Sequence, residues 1–236
     1  MCDHGTSRPS RWEAGIRPTL VTVFALLWVV LVAGVFQLLI SRIAGLPLEL
    51  PDSASRMPTS TFLLRALGTD AGLILAGFAL FFARPGTLRL AVSRRDLLRS
   101  AMALLLLLGV NVLASWGMHL TGEEVGGFPE IPEGLGGLAL VLAAGGLAPA
   151  AEEFFFREAL LCRAFPRGSG ALGLAVTSVA FGAMHLTSGG PLLFGALCVM
   201  GVVLGRLRLK TGSLGPVILV HAANNLSALL FAGGGP

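Results

Sequence analysis

Apolar runs of near-bilayer length recur seven times along the chain: Pro18 to Ile40, Thr61 to Ala83, Ser100 to Leu120, Leu135 to Leu161, Ala171 to Leu186, Pro191 to Leu207 and Ser213 to Phe231. A helix rises about 1.5 Å per residue, so roughly 20 residues cross a hydrocarbon layer about 30 Å thick. Polar, Pro-rich or Arg-rich stretches separate the runs. Lipid offers no hydrogen-bond partner to a backbone, so each run predicts a helix. The expected fold is all-α: a polytopic transmembrane helical bundle with about seven transmembrane helices, and with no soluble domain that could be cut out.

Composition agrees with that pattern. Charged residues make up 13% of 236 and apolar residues 54%, with a mean hydropathy of +0.81, values that belong to membrane proteins and not to soluble domains. The net charge of +4 reports where arginine sits. With the N-terminus placed in the cytoplasm, 13 of the 17 Lys and Arg fall on the inner side and only Arg42 and Arg56 on the outer side. Such a bias predicts N-in, C-out and contact with anionic lipid, with no need for nucleic acid. The first run follows Arg8, Arg11 and Arg17 but exceeds the length of a secretory signal core, so it is expected to stay as an anchor. Cys2, Cys162 and Cys198 lack disulfide or metal spacing. The outer stretch Ser41 to Thr59, with Pro47, Pro51 and Pro58, is expected to be a connector, and the inner stretch Arg84 to Arg99 a short basic helix on the membrane surface.

Candidate chemistry lies in the few ionisable residues at depth, which are costly in lipid and usually face the bundle interior. They are Arg65, Asp70, Glu152, Glu153, Arg157, His185 and His221, with Asn224 and Asn225 beside them. At about 100° per residue, Glu153 and Arg157 share a helix face and can pair, while Glu152 points about 140° from Arg157 toward another helix. Phe181 and His185, and His221 and Asn225, repeat the four-residue spacing. Measured along their segments, Glu152, His185, His221 and Asn225 reach a similar middle-to-inner depth. One shared site is therefore expected, against the plainer reading that each is a polar tie between helices. Arg65 sits near a segment end and can snorkel. Asp70 lies deeper, and a helix tie, a relay and a support for the site all remain open for it. The Phe154 to Phe156 run is expected to be packing.

EEFFFR, then FGAMH, then HAANN stand as EExxxR, FxxxH and HxxxN, in order. The sequence resembles the CPBP group of intramembrane endopeptidases, the CAAX-protease and bacteriocin-processing or Abi family, also called type II CAAX prenyl endopeptidases. The resemblance covers about Leu135 to Phe231. The apolar pattern divides the chain into a cytoplasmic tail over 1–16, N-terminal transmembrane helices over 17–134 and a C-terminal tail over 232–236, and the resemblance implies a protease-like helical core over 135–231. The resemblance also implies that Glu152 is the catalytic glutamate, acting with His185 on a water molecule. His221 and Asn225 would stabilise the oxyanion, and Glu153 and Arg157 would support them.

Peptide hydrolysis requires a base for water, donors aimed at the oxyanion and exclusion of bulk solvent, and these residue types can supply all three. A zinc site built from His185, His221 and a carboxylate remains open beside the metal-free mechanism, since the chain lacks HExxH. The expected partners are a peptide or protein substrate near the membrane and the lipid bilayer, in the plasma (inner) membrane. Two rivals stand: a non-catalytic scaffold, immunity or regulatory protein of the same fold, and a transporter that uses Asp70, Glu152 and the histidines as a proton relay.

Overall fold

A computed structural model describes residues 16–44, 58–83, 87–123, 131–165 and 170–232. Residues 1–15 of the expected N-terminal tail, 45–57 of the outer connector and 233–236 of the C-terminal tail lie outside the described residues. Within them the chain forms seven helices and no strands: α1 (Arg17–Ala44), α2 (Thr59–Ala83), α3 (Arg94–Thr121), α4 (Leu135–Ala164), α5 (Gly170–Ala183), α6 (Pro191–Thr211) and α7 (Gly215–Ala232). The first four and α6 are long and apolar enough to cross a membrane. α5, with 14 residues, spans only about 21 Å. It ends two residues before His185, where the chain continues as a short 3₁₀ turn, Leu186–Ser188.

The expected surface helix over Arg84 to Arg99 does not form as such. Residues 87–93 are non-helical, and the Arg-rich end instead opens α3. The cause is local. The Ser93 hydroxyl accepts from the Asp96 N–H at 3.2 Å and the Asp96 carboxylate accepts from the Ser93 N–H at 3.1 Å, a reciprocal cap that starts a helix at Arg94. The preceding residues strap across the turn between α6 and α7. Leu214 N–H donates to Arg89 O at 2.8 Å and the Ser213 hydroxyl to Ala91 O at 2.7 Å.

α3 shows how the bundle treats lipid as its solvent. Leu98, Met102, Leu105, Val112, Leu113 and Trp116 lie exposed along one side, whereas Ser100, Leu107 and Met118 are buried. The interior gathers Phe155, Phe156 and Leu160 of α4 with Phe181, Leu204, Val217 and Val220. α5 and α6 approach so closely that a Cβ on Gly201 would stand 2.7 Å from the Ser178 backbone, so a residue without a side chain is required there.

α4 is the irregular helix. It widens to π-helical geometry twice, over Ala143–Leu147 and Phe154–Ala164. Such widening is rare and tends to mark functional positions. The first stretch ends beside Pro149, which has no N–H to give. The Ala148 N–H bonds to Ala143 O, five residues back, so neither residue four nor residue five positions on can serve Ala144 O. That carbonyl finds its partner on another helix.

Candidate active site

The partner is Asn225. Its amide donates to Ala144 O at 3.1 Å, tying α7 to α4 about two turns before the carboxylates. Gly145 makes the contact possible, since a Cβ there would lie 2.6 Å from Leu226. Asn225 therefore spends one amide hydrogen on the backbone defect that Pro149 creates. Its neighbour Asn224 is buried in a different tie, where Oδ1 accepts from Asn111 of α3 at 2.9 Å and Nδ2 lies 3.8 Å from Met200 Sδ.

Two turns below Ala144 the glutamates separate into unlike environments. Glu153 is fully buried and used on both oxygens. Oε2 meets Arg157 Nε at 3.0 Å, and Oε1 meets His221 Nδ1 of α7 at 2.7 Å. The pairing expected from the four-residue spacing is present, and its carboxylate does a second thing that spacing alone did not show: it orients His221. A ring whose Nδ1–H donates to a carboxylate turns Nε2 to the opposite side. There it faces Glu152, with Nε2 to Oε2 at 3.8 Å. Glu152 Oε2 is buried without a hydrogen-bond partner.

Phe181 holds the aromatic side of the site together. Its ring packs against His185 at 5.1 Å and His221 at 5.8 Å, and the Arg157 guanidinium lies 4.5 Å above it. His185 Nδ1 stands 3.0 Å from Phe181 O, so an Nδ1–H donated there leaves Nε2 for other chemistry. The ring makes no hydrogen bond to Glu152; the two are neighbours through Phe181 and His221. The structure thus brings Glu152, Glu153, Arg157 and His221 into direct register, sets His185 against the same phenyl ring and uses Asn225 as a brace at the rim. Among the described residues no three His, Cys, Asp or Glu side chains gather closely enough to hold a metal ion. Glu153 lies on His221 Nδ1 and Phe181 O on His185 Nδ1, so Nε2 is the nitrogen that each ring would offer to a metal.

One group escaped the sequence reading. Glu158 is buried, with Oε1 on Arg163 at 2.7 Å and Oε2 on Arg208 of α6 at 2.6 Å. In the sequence both arginines stand just past apolar runs, Leu135 to Leu161 and Pro191 to Leu207, among the charges counted on the inner side. α4 and α6 instead continue far enough to bury them, and Arg163 also lies 3.8 Å above the Phe81 ring. A signal did exist in the Glu158 to Arg163 spacing of five. On an α-helix that places the two about 140° apart, whereas the wider π turn brings them to one face.

Residues 134–227 match the family model described as type II CAAX prenyl endopeptidase Rce1-like. Over this region, less than half of the chain, the sequence is similar to that family. The match starts at the glycine that caps α4 and ends within α7, so it contains every motif residue named above, while α1, α2 and α3 lie outside it. No curated protein and no solved structure matches the chain.

Proposed function

We propose that this multi-pass membrane protein is an endopeptidase that hydrolyses a peptide bond of a membrane-associated protein or peptide, with Glu152 as the base that activates water. One observation carries the reading. A buried, unpartnered carboxylate oxygen faces a histidine nitrogen whose ring is locked from behind by a second carboxylate. The family match supports the reaction class.

In this mechanism Glu152 takes a proton from water as its oxygen attacks the carbonyl carbon. The carbonyl π electrons move to oxygen, and the tetrahedral intermediate collapses with cleavage of the C–N bond. The departing nitrogen takes up a proton, which His185 Nε2 delivers and regains from Glu152 at the end of the cycle. His221 Nε2, in the charged ring, and the second amide hydrogen of Asn225 are the donors for the oxyanion. Glu153 and Arg157 keep His221 in place. The chemistry runs on the protein's own groups, and no step passes through a metal. The proposed setting is the plasma membrane, with the N-terminus and the mouth of the site on the cytoplasmic side, as the arginine bias favours.

The test is cleavage of a peptide library by purified protein in detergent. Cleavage is expected to vanish in Glu152→Ala and to persist in Arg65→Ala. Equal cleavage by Glu152→Ala and the unsubstituted protein would end the mechanism. Activity measured before and after chelation decides the metal question separately.

A further inference from the structure

His185 stands outside the helices that carry the other motif residues. α5 ends at Ala183, and the ring hangs on the turn that follows, before α6 begins at Pro191. The near end of that turn is fixed by α5: His185 N–H donates to Gly182 O at 3.0 Å, and Nδ1 stands 3.0 Å from Phe181 O. Its middle is the 3₁₀ step, in which Ser188 N–H donates to His185 O at 2.9 Å. Gly189 and Gly190 complete it, and glycine has the widest backbone freedom of any residue. The far end of the turn is therefore set by whatever holds the start of α6.

α6 has no local means of capping itself. The first N–H groups of a helix need acceptors from outside it, but the cap position here is Gly190, without a side-chain oxygen, and Pro191 has no N–H. The next two donors both go to one distant carboxylate. Glu123 Oε2 accepts from Leu192 N–H at 3.2 Å and Oε1 from Leu193 N–H at 3.2 Å, across 69 and 70 positions of sequence. A negative group is also favoured at that end of the helix dipole. Both sides are shaped for the contact. Gly122 stops α3 in the left-handed region at φ 67°, and its N–H and that of Glu123 both donate to Met118 O, so the backbone at Glu123 is tied to α3. On the α6 side, a Cβ at Gly190 would stand 2.6 Å from the Glu123 carboxyl carbon, so only glycine admits the carboxylate.

We propose that Glu123 is a positioning residue for His185: by clamping the first turn of α6 it fixes the far end of the His185 turn, and so sets where Nε2 stands when a proton passes to the departing nitrogen. The inference rests on His185 being that proton donor. It gives the end of α3, outside the family match, a share in the chemistry. Loss of the clamp hands two N–H groups to solvent and frees Gly189 and Gly190 to relax. The His185 ring then covers a wider range of positions, although no group that touches substrate has been removed.

The experiment uses the full chain in detergent, with two readouts. The first is magnetic resonance of protein labelled with ¹⁵N-histidine, in which the His185 ring signal is assigned by its loss in His185→Gln. That signal is expected to broaden or split in Glu123→Ala while the His221 signal holds. The second is cleavage of a peptide and of an activated ester with the same acyl part, whose leaving group departs without a proton. Glu123→Ala is expected to lower kcat for the peptide about 10- to 100-fold with KM unchanged, and to slow the ester far less. Glu123→Gln retains one acceptor oxygen and is expected to fall between, and it carries both readouts if the alanine variant fails to accumulate. An unchanged His185 signal, or equal slowing of peptide and ester, would each overturn the inference. If neither compound is cleaved by the unsubstituted protein, the endopeptidase reading fails by itself, and the resonance still decides whether Glu123 holds the His185 turn.

Discussion

Two carboxylates on α4, six residues apart, meet opposite fates. Glu158 is saturated: each oxygen receives an arginine, at 2.7 and 2.6 Å, and the group is buried. Glu152 retains a buried oxygen with no donor, 3.8 Å from a histidine. Both glutamates stand on the same helix in the same apolar setting. What separates them is how many donors reach each one: Arg163 of the same helix and Arg208 of α6 both serve Glu158. A carboxylate with all its demands met is a structural element, and one with a demand left open is where water and substrate can be handled.

The contrast can be broken from either side. The largest effect is expected at Glu152: replacement by alanine or glutamine should reduce cleavage by about a thousandfold or more while the melting temperature in detergent stays level or rises, because an unsatisfied group has been removed. Parallel loss of rate and of melting temperature would mean that Glu152 holds the fold as Glu158 does. Next is Glu158→Ala, which leaves two arginines buried beside a missing counter-charge. It should destabilise the protein by about 3–5 kcal/mol, read as an early melt or as failure to accumulate in the membrane. A normal melt would show that the cluster is dispensable.

Glu153→Gln sharpens the comparison, since Glu153 is ion-paired with Arg157 and also meets His221. A drop in kcat of about 10- to 100-fold with a modest stability loss is expected, and unaltered kcat would mean that His221 does not need its carboxylate partner. Asn225→Ala should expose Ala144 O without a partner and cost about 1–3 kcal/mol in unfolding measurements. A loss of cleavage with no loss of stability would instead place Asn225 at the oxyanion alone. The smallest effect belongs to Ser93→Ala, a cap far from both carboxylates. It should cost about 1 kcal/mol and leave cleavage untouched.

These expectations show which parts were legible. Glu153 with Arg157 could be paired from spacing, because a separation of four brings side chains together on ordinary and widened helices alike. Glu158 with Arg163 could not, because five residues meet only where the helix has opened to π geometry, and the pattern of apolar positions does not announce that opening. His221 was placed near the glutamates by depth, but depth left its two nitrogens equivalent. Arg163 and Arg208 looked like inner-loop charges since arginine usually ends a membrane segment. Here the arginines turn inward to one glutamate.

The chain's pattern by itself determined the solvent, the helical class, the count and order of helices and the residue types that can act on a peptide bond. These follow from hydropathy and composition, which belong to each segment separately. Only the tertiary structure decided which carboxylate is saturated and which is open, which nitrogen of His221 faces Glu152, and that Asn225 mends the gap at Pro149. Those outcomes depend on the rotation of one helix against another. A donor and an acceptor must come within about 3 Å, while hydropathy locates a helix only to within a turn.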